Sequence, residues 1–161
     1  MREIVLDSEI FTLYLAGQIN ENRIDGYTRN SLWEIEDYYI LTDLLRQENQ
    51  DKESIIITTP NILTEADNFL NRISGEDKYK YLKLVKNIYQ KSIEKYIESK
   101  SALGDEIEYC FDKLGLSDFA VLKVAKESDL LISADSSLCD HAESIGIKIF
   151  DFKKYKSRQL L

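Results

Sequence analysis

The sequence predicts an α/β fold, with a central, mostly parallel sheet of four to five short strands flanked by helices. Three observations lead there. Short runs with aliphatic centres recur at residues 3–6, 54–58, 130–133 and 147–152, too short for helices and apolar enough for strands buried on both faces. Between them lie longer stretches whose apolar residues repeat with helical spacing, and strands that alternate with helices build parallel sheets. Acids stand at the ends of two of the strand runs, Asp7 after the first and Asp135 just past the third. Ligands gather beyond the carboxyl ends of strands in open α/β sheets, so both acids are site candidates.

Taken in order, the first strand runs into Asp7, and Ser8 is expected to cap a helix through Ile10, Phe11, Leu13, Tyr14 and Leu15. Residues 20–30 are polar and rich in turn formers. Ser31 is then expected to cap a helix with Leu32, Ile35, Tyr39, Ile40, Leu44 and Leu45 on one face, and Trp33 is read as packing. The second strand, residues 54–58, leads to Thr59 and Pro60, which suit the N-cap and first position of a helix. That helix carries Ile62, Leu63, Ala66, Phe69, Leu70 and Ile73 as its apolar set, with Glu65 between them, and Ser74-Gly75 is expected to end it.

Residues 78–100 read as a long helix or a helix pair, with Leu82, Val85, Ile88, Tyr89, Ser92 and Tyr96 near one side. A short helix from Asp105 would bury Cys110. Gly115 is a stop, and Ser117-Asp118 opens a helix through Phe119, Val121, Leu122, Val124 and Ala125 with acid in its first turn. The third strand, residues 130–133, leads to Asp135. Ser136 is expected to cap a helix through Leu138, Cys139, Ala142 and Ile145, Gly146 to end it, and residues 147–152 to form the last strand. Residues 153–161 are a basic tail, read as an exposed, solubilising end.

The chain has 161 residues, enough for one domain with a real core, and its mix of hydrophobic and charged residues is ordinary for a globular protein. No apolar run is long enough to span a bilayer, and the acid-rich start does not read as a secretory signal. Cys110 and Cys139 show neither zinc spacing nor a disulfide framework, so a reducing, cytoplasmic setting is expected. Net charge is -8, but residues 71–100 carry eight bases against four acids while both flanks are acidic. Lysines Lys80, Lys83 and Lys86, interleaved with Tyr79, Tyr81, Tyr89 and Tyr96, are candidate RNA contacts, although lysines at such spacing are commonly the wet face of a helix.

Asp7, Glu65, Asp118 and Asp135 are scattered in sequence, yet each is placed near the same edge of the sheet. Three or four carboxylates with no His or Cys partner suit hard, oxygen-seeking cations, so Mg2+ or Mn2+ is the expected cofactor. Such ions relieve the repulsion among crowded carboxylates, activate water and stabilise a leaving oxygen. Ser8 and Ser133 are candidates to support the carboxylates by hydrogen bonds, and Asp140 is a reserve acid that more naturally faces solvent.

The ordered pieces, Asp7-Ser8 after a strand, Thr59-Pro60 and ILTEADNFL with Glu65, LSDFAVLKVA with Asp118, LLISAD with Asp135 and the closing GIKIFDF, together resemble the PIN domain nucleases over residues 2–152. The resemblance implies a three-layer PIN-like fold in a single domain, with helical insertions near residues 19–51 and 76–101. It also implies metal-dependent cleavage of single-stranded RNA, with Asp7 and Asp118 as central ligands, Glu65 acting directly or through water, and Asp135 completing the cluster. Small proteins of that family are often the toxin of a toxin/antitoxin pair or a defence nuclease, which implies an antitoxin or other inhibitor as partner and a homodimer. The chain departs at Glu9, where the family more often has Asn or Ser. Two other readings remain open: a catalytically degenerate scaffold that binds RNA or protein, and an aspartate-dependent phosphatase or phosphotransferase. The latter would need Lys123 or Lys126 beside the later acids.

Overall fold

The computed structural model describes residues 1–27, 33–48, 53–104 and 113–159. Its core is a five-stranded, wholly parallel sheet in the order β3-β2-β1-β4-β5. The strands are β1 (Arg2–Leu6), β2 (Ser54–Thr58), β3 (Ile93–Glu94), β4 (Leu130–Ser133) and β5 (Ile149–Asp151). Because every pair is parallel, all the strands end on one side of the molecule, and Leu6 lies opposite Ile132 there. Val5, Leu6, Leu131 and Ile132 are fully buried, as central parallel strands demand.

Helices α1 (Ser8–Asn20), α2 (Ile24–Tyr27) and α3 (Ile35–Glu48) follow β1, with a 3-10 turn at Glu21–Arg23. After β2 come α4 (Pro60–Leu70) and α5 (Gly75–Lys91), and after β3 comes α6 (Ser99–Leu103). The remaining helices are α7 (Leu116–Ala125), α8 (Ser136–Ser144) and α9 (Phe152–Gln159). Helix α1 packs against α3, α4 and α5, while α7 lies against β1, α4 and α6. None of the described helices is long and apolar enough to cross a membrane.

Several local expectations change in the folded chain. Asp7, not Ser8, caps α1, and Asp135, not Ser136, caps α8, because a carboxylate at the strand exit reaches the free N–H groups first. Ser74-Gly75 does not close α4, which ends at Asn71; it begins α5, with Gly75 at φ 67°. Residues 78–100 are not one helix or a pair, since α5 stops at Lys91 and Ile93–Glu94 adds an edge strand beside β2. That strand covers only Ile57 and Thr58, so Ile55 and Ile56 stay half-buried where a fully buried strand is expected.

In α3 Ile35, Ile40, Leu44 and Leu45 pack against the core as expected, whereas Tyr39 is exposed and the most deeply buried side chains are Asp37, Tyr38 and Leu41. In α5 the packed residues run through Tyr81, Leu84, Val85 and Ile88, leaving Leu82 exposed. The expected cap at Ser31 and the helix carrying Cys110 lie outside the described residues. The final basic segment is helical, and Lys156 turns inward, 2.8 Å from the buried Asp37 carboxylate and over the Trp33 ring.

Gly17 marks a close approach of α1 to α3: a Cβ there would come within 2.2 Å of the Tyr38 ring. The Tyr38 hydroxyl also accepts a 2.9 Å hydrogen bond from the Gln18 side chain, which fixes the ring. Gly17→Ala is therefore expected to cost about 1–3 kcal/mol by forcing α1 and α3 apart. Denaturant midpoints would measure this, and an unchanged midpoint would mean that Tyr38 swings aside freely.

Candidate active site at the carboxyl edge of the sheet

Asp7 leaves β1 with its own N–H donating 3.1 Å to the Ile132 carbonyl, which locks the strand exit beside β4. The residue is 6% exposed. Oδ1 accepts from Ile10 N at 2.8 Å, while Oδ2 accepts from the Ser133 hydroxyl and, at 3.2 Å, from Ala134 N. Ser133 thus supports the first acid, as expected from its type and place. Burial pushes the Asp7 carboxyl up to about 6, against the lowering effect of those three donors and with a further push from the Glu9 charge.

Asp118 sits in the first turn of α7 and accepts from Gly115 N at 2.8 Å through Oδ2. Burial raises its pKa; the hydrogen bond opposes this, and the charges of Asp135 and Glu65 add to it. Asp135 accepts from Leu138 N at 3.0 Å through Oδ1. Three acids therefore each place one oxygen on the backbone N–H groups of a helix N-terminus, where the positive end of the helix dipole favours them. The second oxygens of Asp118 and Asp135 accept no hydrogen bond among the described residues. Glu65 comes from α4, whose Thr59 cap accepts from Ile62 N at 3.3 Å, and its carboxylate has no hydrogen-bond partner among the described residues.

Asp7, Glu65, Asp118 and Asp135 line one cleft of about 590 Å³, together with Ser8, Glu9 and Thr12. Phe69, Gly115, Leu116, Ser117 and Leu138 complete its described walls. Four elements that are distant in sequence thus bring the four acids together, as their placement at one edge predicts. Thr12 has no sequence signal beyond its spacing: it lies one helical turn past Ser8, whose carbonyl accepts its hydroxyl at 2.6 Å. Glu9 accepts a 3.1 Å hydrogen bond from Trp33 Nε1, so the buried Trp33 holds a cleft residue and has no face free for a stacked base.

Other candidates lie elsewhere. Asp140 is exposed and outside the cleft wall. Lys80 turns to Asp77 and Glu76, while Lys83 and Lys86 are exposed; none of the three lines the cleft. Tyr81 is buried and hydrogen-bonded to Asp67, and Tyr89 is half-buried, which leaves Tyr79 and Tyr96 as the exposed rings. Lys123 and Lys126 line a separate pocket with Ala102, Leu103 and Ile145. Cys139 is a buried free thiol, pushed up to about 12 by burial and then by nearby Asp151.

Among the described residues no group of three or more His, Cys, Asp or Glu side chains is placed to hold a metal ion. The donor set nonetheless fits a hard cation. It is all oxygen, it is electrostatically strained, and Mg2+ commonly uses one or two carboxylates while keeping several waters. Such an ion would be held by Asp118 and Asp135, with water filling its remaining positions.

Asp7 holds its proton more tightly folded than unfolded, so it favours the folded state at low pH. That advantage is lost as pH rises from the ordinary carboxylate value of 3.8 through about 6. In EDTA, wild-type stability relative to Asp7→Asn is expected to rise by roughly 2 kcal/mol between about pH 7 and about pH 4. Denaturant titrations at both values check this, and a constant difference would show that Asp7 is not desolvated.

No protein-family model matches the chain, and no curated protein matches it significantly. Among solved structures, it is similar to a domain of a functionally unknown protein from Methanocaldococcus jannaschii DSM 2661. The two are 19% identical, over 94% of this chain and 91% of the other, with a TM-score of 0.46.

Proposed function

We propose that the protein is a metal-dependent nuclease that cleaves single-stranded RNA in the carboxylate cleft. The observation that carries this reading is the convergence of Asp7, Glu65, Asp118 and Asp135, from four separate elements, on one cleft at the carboxyl edge of a parallel sheet. A bound Mg2+ or Mn2+ would supply Lewis-acid stabilisation of phosphoryl oxygens and a more acidic water. The chain's own groups do the rest. Asp118 and Asp135 present one oxygen each, while their other oxygens are anchored to helix N-termini, so the donors are oriented before the substrate arrives. Glu65 has both oxygens available to position an attacking water and accept its proton, directly or through a second water. Asp7 forms the floor, and its ties to Ser133 and Ala134 hold β4 and α8 in register with α1.

Two features of the cleft weigh against aspartyl phosphotransfer. Asp7 commits both oxygens to hydrogen bonds, which leaves a poor nucleophile. Lys123 and Lys126, needed beside the later acids, lie on another pocket.

End-labelled single-stranded RNA is expected to be cut with Mn2+ or Mg2+ and left intact in EDTA. Asp118→Asn and Glu65→Gln are each expected to slow cutting at least about 100-fold. The amide oxygen of Asn can still accept from Gly115 N, and Glu65 has no described hydrogen bond to lose, so both variants are expected to melt like the wild type. Cutting that survives chelation would sink the metal dependence, and an Asp118→Asn rate equal to wild type would sink the carboxylate cleft as its site. Absence of both cutting and metal binding would favour the non-catalytic scaffold.

A further inference from the structure

The cleft presents a problem for a polyanionic substrate. Its described walls carry five carboxylates, Asp7, Glu9, Glu65, Asp118 and Asp135, and no Lys or Arg. Phe69 of α4 forms part of the cleft wall and also part of a second pocket of about 240 Å³, whose lining includes Arg23, Gly26, Tyr27, Arg72 and Ser74. That lining holds two guanidinium groups and no carboxylate, so an acidic site and a basic one share an aromatic wall.

We propose that Arg23 and Arg72 form a phosphate-binding subsite for the single strand that enters the carboxylate cleft, with Tyr27 and Phe69 as walls for an unpaired base. This rests on the nuclease reading and names how that site holds its substrate. The guanidinium of Arg72 makes no ion pair or side-chain hydrogen bond among the described residues. Arg23 is weakly held, 3.9 Å from Asp77 Oδ2 and 5.4 Å over the Tyr27 ring. Asp77 is meanwhile served at closer range by the Tyr27 hydroxyl at 2.5 Å, Asn20 at 3.1 Å and Lys80 at 3.3 Å. Those bonds fix the Tyr27 ring as a pocket wall and draw Lys80 away from substrate, while Arg23 keeps its donors available. Planar guanidinium forks match phosphate oxygens two at a time, and aromatic walls accept any base face without sequence preference. Gly26 leaves the mouth open, since a Cβ there would meet nothing within 4 Å.

Two measurements test the subsite. In the first, inorganic phosphate is titrated in EDTA against protein labelled for arginine Nε resonances; Arg23 and Arg72 are expected to shift together and to saturate. In the second, a fluorescein-labelled oligouridylate is bound in Ca2+ buffer across a salt series. Arg23→Ala/Arg72→Ala is expected to weaken binding at least about tenfold and to flatten the salt slope by about 0.7 for each phosphate that the variant no longer neutralises. Gly26→Glu, which keeps both arginines but fills their pocket with an anion, is expected to weaken it likewise, and Lys126→Ala on the separate pocket to leave it unchanged. RNA bound and cut by the double variant as by wild type would overturn the subsite and leave the nuclease reading intact. No response of either arginine to phosphate would also overturn it. Phosphate shifting both resonances while no RNA is cut would sink the nuclease reading and leave the phosphate site standing.

Discussion

The buried Asp7 carboxylate is the constraint on which the arrangement of the cleft depends. It ties together pieces of chain that are far apart in sequence: the start of α1 through Ile10 N, and the end of β4 through Ser133 and Ala134. Its own N–H completes the link to Ile132. Burying a carboxylate is costly unless donors surround it, and here three donors soften that cost without removing it, which is why the group stays hard to ionise. Carboxylates perturbed in this way cluster at functional sites.

The other acids follow the same rule with less burial. Asp118 and Asp135 each begin a helix, so the fold holds them with backbone N–H groups and helix dipoles while leaving one oxygen outward. No described cation lines the cleft, and Asp118 carries the repulsion of Asp135 and Glu65. The positive charge next to the cleft lies beyond Phe69, on Arg23 and Arg72. Phe69 lines both pockets, so the acidic cleft and the basic pocket share an aromatic wall.

Support for the cleft reaches to the C-terminal helix. Lys156 of α9 pairs with the buried Asp37 of α3, which also accepts from Glu34 N, and stands over the Trp33 ring. Trp33 packs edge-on against Phe152 and donates to Glu9 in the cleft wall. A segment that reads as a solubilising tail therefore helps to set the position of an acid at the site. Its charge pattern hides this, because only the partner Asp37, 119 residues earlier, distinguishes Lys156 from its neighbours.

The sequence by itself determined the βα alternation, the strands at residues 54–58 and 130–133, the Thr59-Pro60 helix start and the placement of four acids at one sheet edge. These are local consequences of period, capping chemistry and the parallel rule, which a single stretch of chain expresses without its neighbours. Tertiary structure alone decided that Asp7 is buried against Ser133 and Ala134, that Ile93–Glu94 joins the sheet, and that Lys156 is taken up by Asp37. It alone set Arg23 and Arg72 on one pocket, although one lies in a polar turn and the other just past α4. A carboxylate's partners, an edge strand of two residues and the neighbour of a lysine depend on what the fold brings alongside, and no periodicity within a segment records that.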